Sequence, residues 1–281
     1  MKNTVYEIRN ATHPDDAKKY DTERIRKEYL ISNIFFQNRI SLVYTGYDRF
    51  IVGGAFPVNG TLVLETIDPL KAKNFLDCRE MGIINIGGDA LVKANGKEYK
   101  IGHCEAIYLG MGTADVSFSS TDKSKPAKLY INSAPAHKEY PVKKVTLKDA
   151  IVAEMGSLES SNRRKINKLI VHGVVETNQL QMGMTQFEPG SVWNTMPAHT
   201  HSRRMEAYFY FNVPENQAIC HFMGQPQETR HIWLQNEQAV ISPSWSLHAG
   251  AGTAQYTFIW GMAGENLDYG DMDVVQPYEL K

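Results

Sequence analysis

The chain is short of cysteine, of long apolar runs and of unbalanced charge. Three cysteines occur, Cys78, Cys104 and Cys220, far apart and with no C-x-x-C pair. An odd, scattered count argues against a disulfide framework and a thiolate zinc site. It leaves free, mostly buried thiols in a reducing compartment as the expectation. No apolar run reaches the roughly 18 residues of a membrane-spanning helix. The polar, charged stretch from Met1 to Lys19 lacks the apolar core of a signal peptide, so the expected location is the cytoplasm. Thirty Lys and Arg balance 31 Asp and Glu to a net charge of -1. With no basic tail or phosphate-tracking surface, nucleic acid is not an expected partner.

What is present is a length of 281 residues, 42% of them apolar, enough for one large or two modest domains with a sizeable core. Residues 15–36 carry the best helical pattern. Asp21 or Thr22 caps it, Glu23 suits the first turn, and Ile25, Tyr29, Leu30, Ile34 and Phe35 recur near helical spacing. A second helical piece is expected around 157–167. Elsewhere, short segments rich in β-branched and aromatic residues alternate with Gly, Pro and Asn. They include 40–45, 60–65, 82–86, 90–94, 105–109, 128–132, 168–174, 181–187, 207–211, 218–222, 231–234, 239–241 and 257–260. Many short strands with frequent turns indicate an all-β sandwich or barrel. Asn95-Gly96 between two of them is a hairpin turn. The texture repeats in two halves, without a repeat of identical residues, and 133–141 is the expected connection.

One segment carries chemistry. Around Met196-Pro-Ala-His199-Thr-His201, two histidines two residues apart project to the same side of a strand. Glu206 lies at an odd offset, so Ser202-Arg203-Arg204 must turn and reset the register. On the strand that follows, Glu206, Tyr208 and Tyr210 share a face, and Ala207, Phe209 and Phe211 the other. A further histidine, His248, follows Pro243 and precedes a glycine-rich stretch. Three imidazoles and a carboxylate suit Zn²⁺, Fe²⁺, Mn²⁺, Co²⁺ or Ni²⁺. His13, His103, His137, His172, His221 and His231 have no such pattern and are expected to be structural or surface residues.

These residues resemble the motifs of the cupin superfamily, G-x5-H-x-H-x3-4-E-x6-G followed by a lone His. Gly190 stands nine residues before His199 rather than six, and Val213 takes the place of the closing glycine. Longer segments are similar to the 5-keto-4-deoxyuronate isomerase family, over nearly the whole chain. They are 48–54, 79–88, 179–185, 196–201, 241–248 and 256–266. The resemblance implies an all-β chain of two cupin-like jelly-roll barrels with a few short helices. Residues 1–148 would form a barrel without a metal motif, carrying the N-terminal helix. Residues 149–281 would form the metal-binding barrel, with one zinc per subunit on His199, His201, Glu206 and His248. A homo-hexamer is implied as well.

The family reaction interconverts 5-dehydro-4-deoxy-D-glucuronate and 3-deoxy-D-glycero-2,5-hexodiulosonate in pectin and uronate breakdown, through an enediolate. Moving a carbonyl from C1 to C2 needs a Lewis acid, a base and a cation for the carboxylate. Arg203 and Arg204 beside the metal loop, and Arg163 and Arg164 farther upstream, are candidates for the cation. Glu206 and Tyr208 are candidates for proton transfer. Gln181, Met182 and Tyr210 are candidates to line the pocket. An iron dioxygenase on the same ligands and a non-catalytic sugar-binding bicupin are the competing readings.

Overall fold

Period-two alternation of apolar and polar residues, cut every few positions by Gly, Asn or Pro, gives most of this chain one regular option, the short strand. The computed structural model describes residues 3–265 and 267–281 and is accordingly almost all strand. It has two short α-helices among the described residues. Met1 and Lys2, at the head of the polar N-terminus, and Asn266, which closes the 256–266 motif, lie outside the described residues. Three expected strands are met end to end, Ile40–Thr45, Ala90–Ala94 and Gln181–Phe187. Asn95 and Gly96 have φ of 51° and 75°, as a two-residue turn with both central residues left-handed requires. They join Ala90–Ala94 to Lys97–Ile101.

The helix expected over 15–36 is shorter and interrupted. Pro14–Ala17 makes one turn and Thr22–Tyr29 about two. Asp21 caps the second by accepting the Arg24 N–H at 2.8 Å. Leu30 and Ile31 then leave the helix and pair as strand with Val240 and Ala239. The apolar periodicity ran on past Tyr29 because those residues are buried in either conformation. The helical piece expected over 157–167 is not formed. A turn there leads into the strand Arg164–Ile170, which is antiparallel to Ile151–Met155. A neighbouring strand supplies the backbone partners that the basic sequence could not reveal. Cys104 is buried, but Cys78 is exposed, contrary to the expectation for the thiols as a group.

The chain divides into two compact units, and the strand order is the same in each. The first comprises Met1–Arg9, Ile34–Ala150 and Leu169–Gln181, and the second Asn10–Asn33, Ile151–Lys168 and Met182–Lys281. A single boundary near 148 would divide the chain differently. The helical segment goes to the second unit because Leu30–Ile31 closes the edge of that unit's large sheet.

Each unit has a seven-stranded and a four-stranded sheet. In the first, strands 51–55, 79–85, 106–109 and 129–135 belong to the large sheet, and 62–63, 90–94, 97–101 and 117–120 to the small one. In the second, 181–187, 204–211, 238–242 and 257–264 alternate in the same order with 193–194, 219–225, 228–234 and 247–252. This order, large-small-large-small-small-large-small-large, is that of a jelly roll.

The interiors differ. The strand Arg79–Asn85 puts Met81 and Ile83 into an apolar core with Ile107, Phe118 and Leu129. The corresponding strand of the second unit, Arg204–Phe211, presents Glu206, Tyr208 and Tyr210 at the matching alternate positions. One interior is therefore packed with aliphatic side chains, whereas the other carries buried polar groups that need partners.

Candidate metal centre

The polar interior of the second unit converges on one point. His199 lies on the short strand Ala198–Thr200, opposite Val274 of Asp273–Val275. His201 follows that strand, and a turn at Ser202 and Arg203 leads into Arg204–Phe211, so Glu206 comes back toward the histidines. His248 stands on Leu247–Gly252, opposite Met223. The reset of register expected between His201 and Glu206 is thus made by that turn. The four ligand atoms lie within 4.8 Å of one another. His248 Nε2 is 3.1 Å from both His199 Nε2 and His201 Nε2. Glu206 Oε2 is 2.9 Å from the Nε2 atoms of His201 and His248.

Hydrogen bonding alone cannot satisfy this cluster. A neutral imidazole carries one N–H, so His248 Nε2 can donate to at most one of its three neighbours. Bonds of about 2.0–2.2 Å from nitrogen and oxygen to a single ion bring donor atoms about this close together. Burial, reinforced by neighbouring histidine, pushes His199 and His201 down to about 3 and so keeps their lone pairs available. The donor set fits a divalent ion, with three neutral nitrogens and one carboxylate oxygen.

Arg204 braces the site. It is 1% exposed, and its Nε lies 3.0 Å from His201 Nδ1. Its Nη1 donates to the Asp268 carbonyl at 2.5 Å, and Nη2 to those of Tyr269 and Asp271 at 3.2 Å. His201 Nδ1 is also 3.2 Å from the Asp271 carbonyl. These two contacts belong to different tautomers. A ring that gives its Nε2 lone pair to an ion carries its proton on Nδ1 and donates to Asp271.

A cavity of about 280 Å3 opens onto the cluster. Its wall includes His199, His201, Glu206, Arg204 and Tyr208, and also Arg164, Lys168, Thr195, Trp260 and Tyr269. The Tyr208 hydroxyl is 3.0 Å from Thr195 Oγ1. Burial, and then the charge of Glu206, push the Tyr208 phenol well above its usual range, so it stays protonated.

Other expected residues stand elsewhere. Arg163 is exposed, and its neighbour Arg164 lines the wall instead. Arg203 is exposed and reaches Glu265 at 3.7 Å. Gln181 and Met182 are fully buried and do not line the cavity. Tyr210 hydrogen-bonds His221 Nδ1 at 2.8 Å behind the wall. Lys168, Thr195, Trp260 and Tyr269 are not among the site residues that the sequence motifs single out. Strand alternation of 164, 166 and 168 would have found Lys168, but the sequence pattern puts a helix over 157–167 and begins a strand only at 168, whereas the strand runs Arg164–Ile170.

The chain matches the KduI/IolB family over residues 59–275. It is 61% identical, across 99% of both chains, to 4-deoxy-L-threo-5-hexosulose-uronate ketol-isomerase 1 of Bacteroides thetaiotaomicron. It is 57% identical to the ketol-isomerase of Formosa agariphila, again across 99% of both. Among solved structures, an IolB-like protein of Salmonella typhimurium superposes with a TM-score of 0.68 over 82% of this chain and 89% of that one, at 16% identity. Lactobacillus farciminis oxalate decarboxylase gives a TM-score of 0.55 over 81% and 79%, at 11% identity. The structural likenesses carry the cupin-like fold, the sequence likenesses carry the relationship, and the chain belongs to the KduI/IolB family.

Proposed function

We propose that this chain is a metal-dependent ketol-isomerase that interconverts 5-dehydro-4-deoxy-D-glucuronate and 3-deoxy-D-glycero-2,5-hexodiulosonate. The observation that carries it is the cluster of His199, His201, Glu206 and His248, the first three of which line the cavity, in a chain so similar to named uronate ketol-isomerases. Zinc, one per subunit, suits three imidazoles and a carboxylate. A cytoplasmic homo-hexamer acting in pectin and uronate breakdown completes the reading.

The reaction moves the C2 proton to C1 and the O2 hydroxyl proton to O1, so atoms balance without an oxidant. An ion held by the four side chains would supply Lewis-acid polarisation of a substrate oxygen. The rest falls to the chain. Tyr208, held neutral, donates a hydrogen bond to the oxygen on which charge develops, and Thr195 orients its hydroxyl. Glu206 turns Oε2 to the histidines, and in this reading its other oxygen carries the proton between the reacting carbons. The apolar walls formed by Phe258, Trp260 and Met262 exclude water.

The test is an assay with the product of unsaturated galacturonide cleavage, before and after chelation. Isomerisation that disappears with the metal is expected. No isomerisation by the metal-loaded chain would overturn the reading, as would stoichiometric iron with oxygen uptake and no isomerised product.

A further inference from the structure

We propose that Arg164 and Lys168 form the subsite for the substrate carboxylate, Arg164 as a two-pronged clamp and Lys168 as a point charge. The proposal rests on the isomerase reading above, because that reading supplies an acid group at the end of the substrate remote from C1 and C2.

Among the described residues, three lysine and arginine side chains line the cavity, Arg164, Lys168 and Arg204. Arg204 is already committed. Its two terminal nitrogens donate to three carbonyls, and its Nε lies 3.0 Å from the His201 ring. It holds the metal-site wall and has no edge to offer a ligand.

Arg164 differs in every respect. Its Nη1 donates to the Asn162 carbonyl at 2.8 Å, which anchors one corner of the guanidinium. Nε and Nη2 have no protein acceptor among the described residues. Those two N–H groups form the edge whose spacing matches a carboxylate in a bidentate pair. Lys168 projects from the same face of the same strand, with Ile166 between them, and all three line the cavity. Its Nζ sits 3.9 Å from the Tyr269 ring centroid, which holds the ammonium by cation–π attraction without neutralising it.

Neither cation has an acidic partner among the described residues. Two like charges in a half-buried wall, with burial pressing Arg164 below its ordinary pKa, form an unbalanced site that an anion would complete. A further donor waits nearby. Trp260 lines the cavity at 3% exposure, and its indole N–H is buried without an acceptor. The negative pole of the ligand therefore belongs on the Arg164 strand and its reacting carbons at the histidines.

The experiment compares the acid substrate with its neutral C6 methyl ester in the metal-loaded protein. Wild type is expected to favour the acid. In Arg164→Ala, KM for the acid should rise roughly tenfold to a hundredfold, as loss of a charge-assisted pair implies. The ester should change by less than about twofold on the same scale, so that discrimination collapses. Lys168→Ala should do the same more weakly, Arg164→Lys should recover part of the preference, and Arg163→Ala should leave it unchanged. Equal loss for acid and ester, or an unchanged KM for the acid, would overturn the subsite. Calorimetric titration of D-glucuronate against D-glucose separates this from the isomerase reading. Arg164-dependent uronate binding without turnover would keep the subsite and remove the reaction. Turnover without Arg164 dependence would do the opposite, and absence of both would remove both.

Discussion

Replacing Arg204 with Met keeps the apolar stem and removes the guanidinium, and the structure indicates how the loss should divide. Four polar contacts disappear together, one to His201 and three to the carbonyls of Asp268, Tyr269 and Asp271. Hydrogen bonds from a charged donor are worth about 1.5–3 kcal/mol each, but the guanidinium also regains no solvation while buried. The net loss of stability should therefore be about 3 kcal/mol, well below the sum of four bonds. At about 2–4 °C per kcal/mol for a chain of this size, the melting temperature should fall by roughly 6–12 °C. Metal affinity should fall too, because Arg204 also holds the Asp271 carbonyl, the acceptor for the Nδ1 proton of the ligating His201 ring. Residues behind a ligating histidine typically matter tenfold to a hundredfold in affinity. Chelator competition reads the affinity and thermal melting of the metal-free protein reads the stability. A variant that melts early but binds metal as tightly as wild type would show that Arg204 only pins the 268–271 loop. A variant that changes in neither would refute the bracing role altogether.

Other outcomes follow from single residues. Glu80 in the first unit is fully buried, and both of its oxygens accept only. They take the N–H groups of Asn178, Gln179 and Leu180 at 2.7–2.8 Å and the Tyr108 hydroxyl at 2.7 Å. Glu80→Gln turns an amide toward those donors and should cost about 3 kcal/mol in a denaturant titration; a cost near zero would mean the donors find other acceptors. Tyr208→Phe should lower kcat by roughly a hundredfold or more with metal content unchanged, and an unchanged kcat would remove Tyr208 from stabilising the developing charge. His199, His201 and His221 are all pushed by burial to about 3. Their unfolded value is about 6.5. Between these values the unfolded chain takes protons that the folded chain refuses, so stability is fully present above about 6.5 and is lost as pH falls toward 3. Metal-free protein should lose roughly 2 kcal/mol per histidine by pH 5. A melting temperature that does not fall between pH 7 and 5 would contradict that burial effect.

The ligand set was legible because strand alternation is local. His199 and His201 two apart, a turn, then Glu206 on a new strand required only period two and one reset. The cations of the wall were not legible. Arg163, Arg164, Lys165 and Lys168 look alike in sequence, and which of them faces the cavity depends on the pairing of 164–170 with 151–155, a tertiary fact. A helix ending at 167 and a strand starting at 168 leave Arg163 and Arg164 as equal candidates and hide that Arg164 and Lys168 share one face of a strand. The same limit explains the N-terminal helix. Asp21 marked its start by side-chain chemistry, whereas its end at Tyr29 is set by Leu30 and Ile31 completing a sheet edge some 200 residues away in the chain. The repeated strand order left no mark in residue identities, because Met81 and Ile83 in one interior and Glu206 and Tyr208 in the other serve different surroundings.

The central claim is that isomerisation depends on one divalent ion held by His199, His201, Glu206 and His248. Metal per chain and turnover, measured on the same sample as a chelator withdraws the ion, test it most directly. Activity should fall in proportion to occupancy from one equivalent to none and return when the ion is restored. Full turnover from a chain shown to hold no metal would contradict the account.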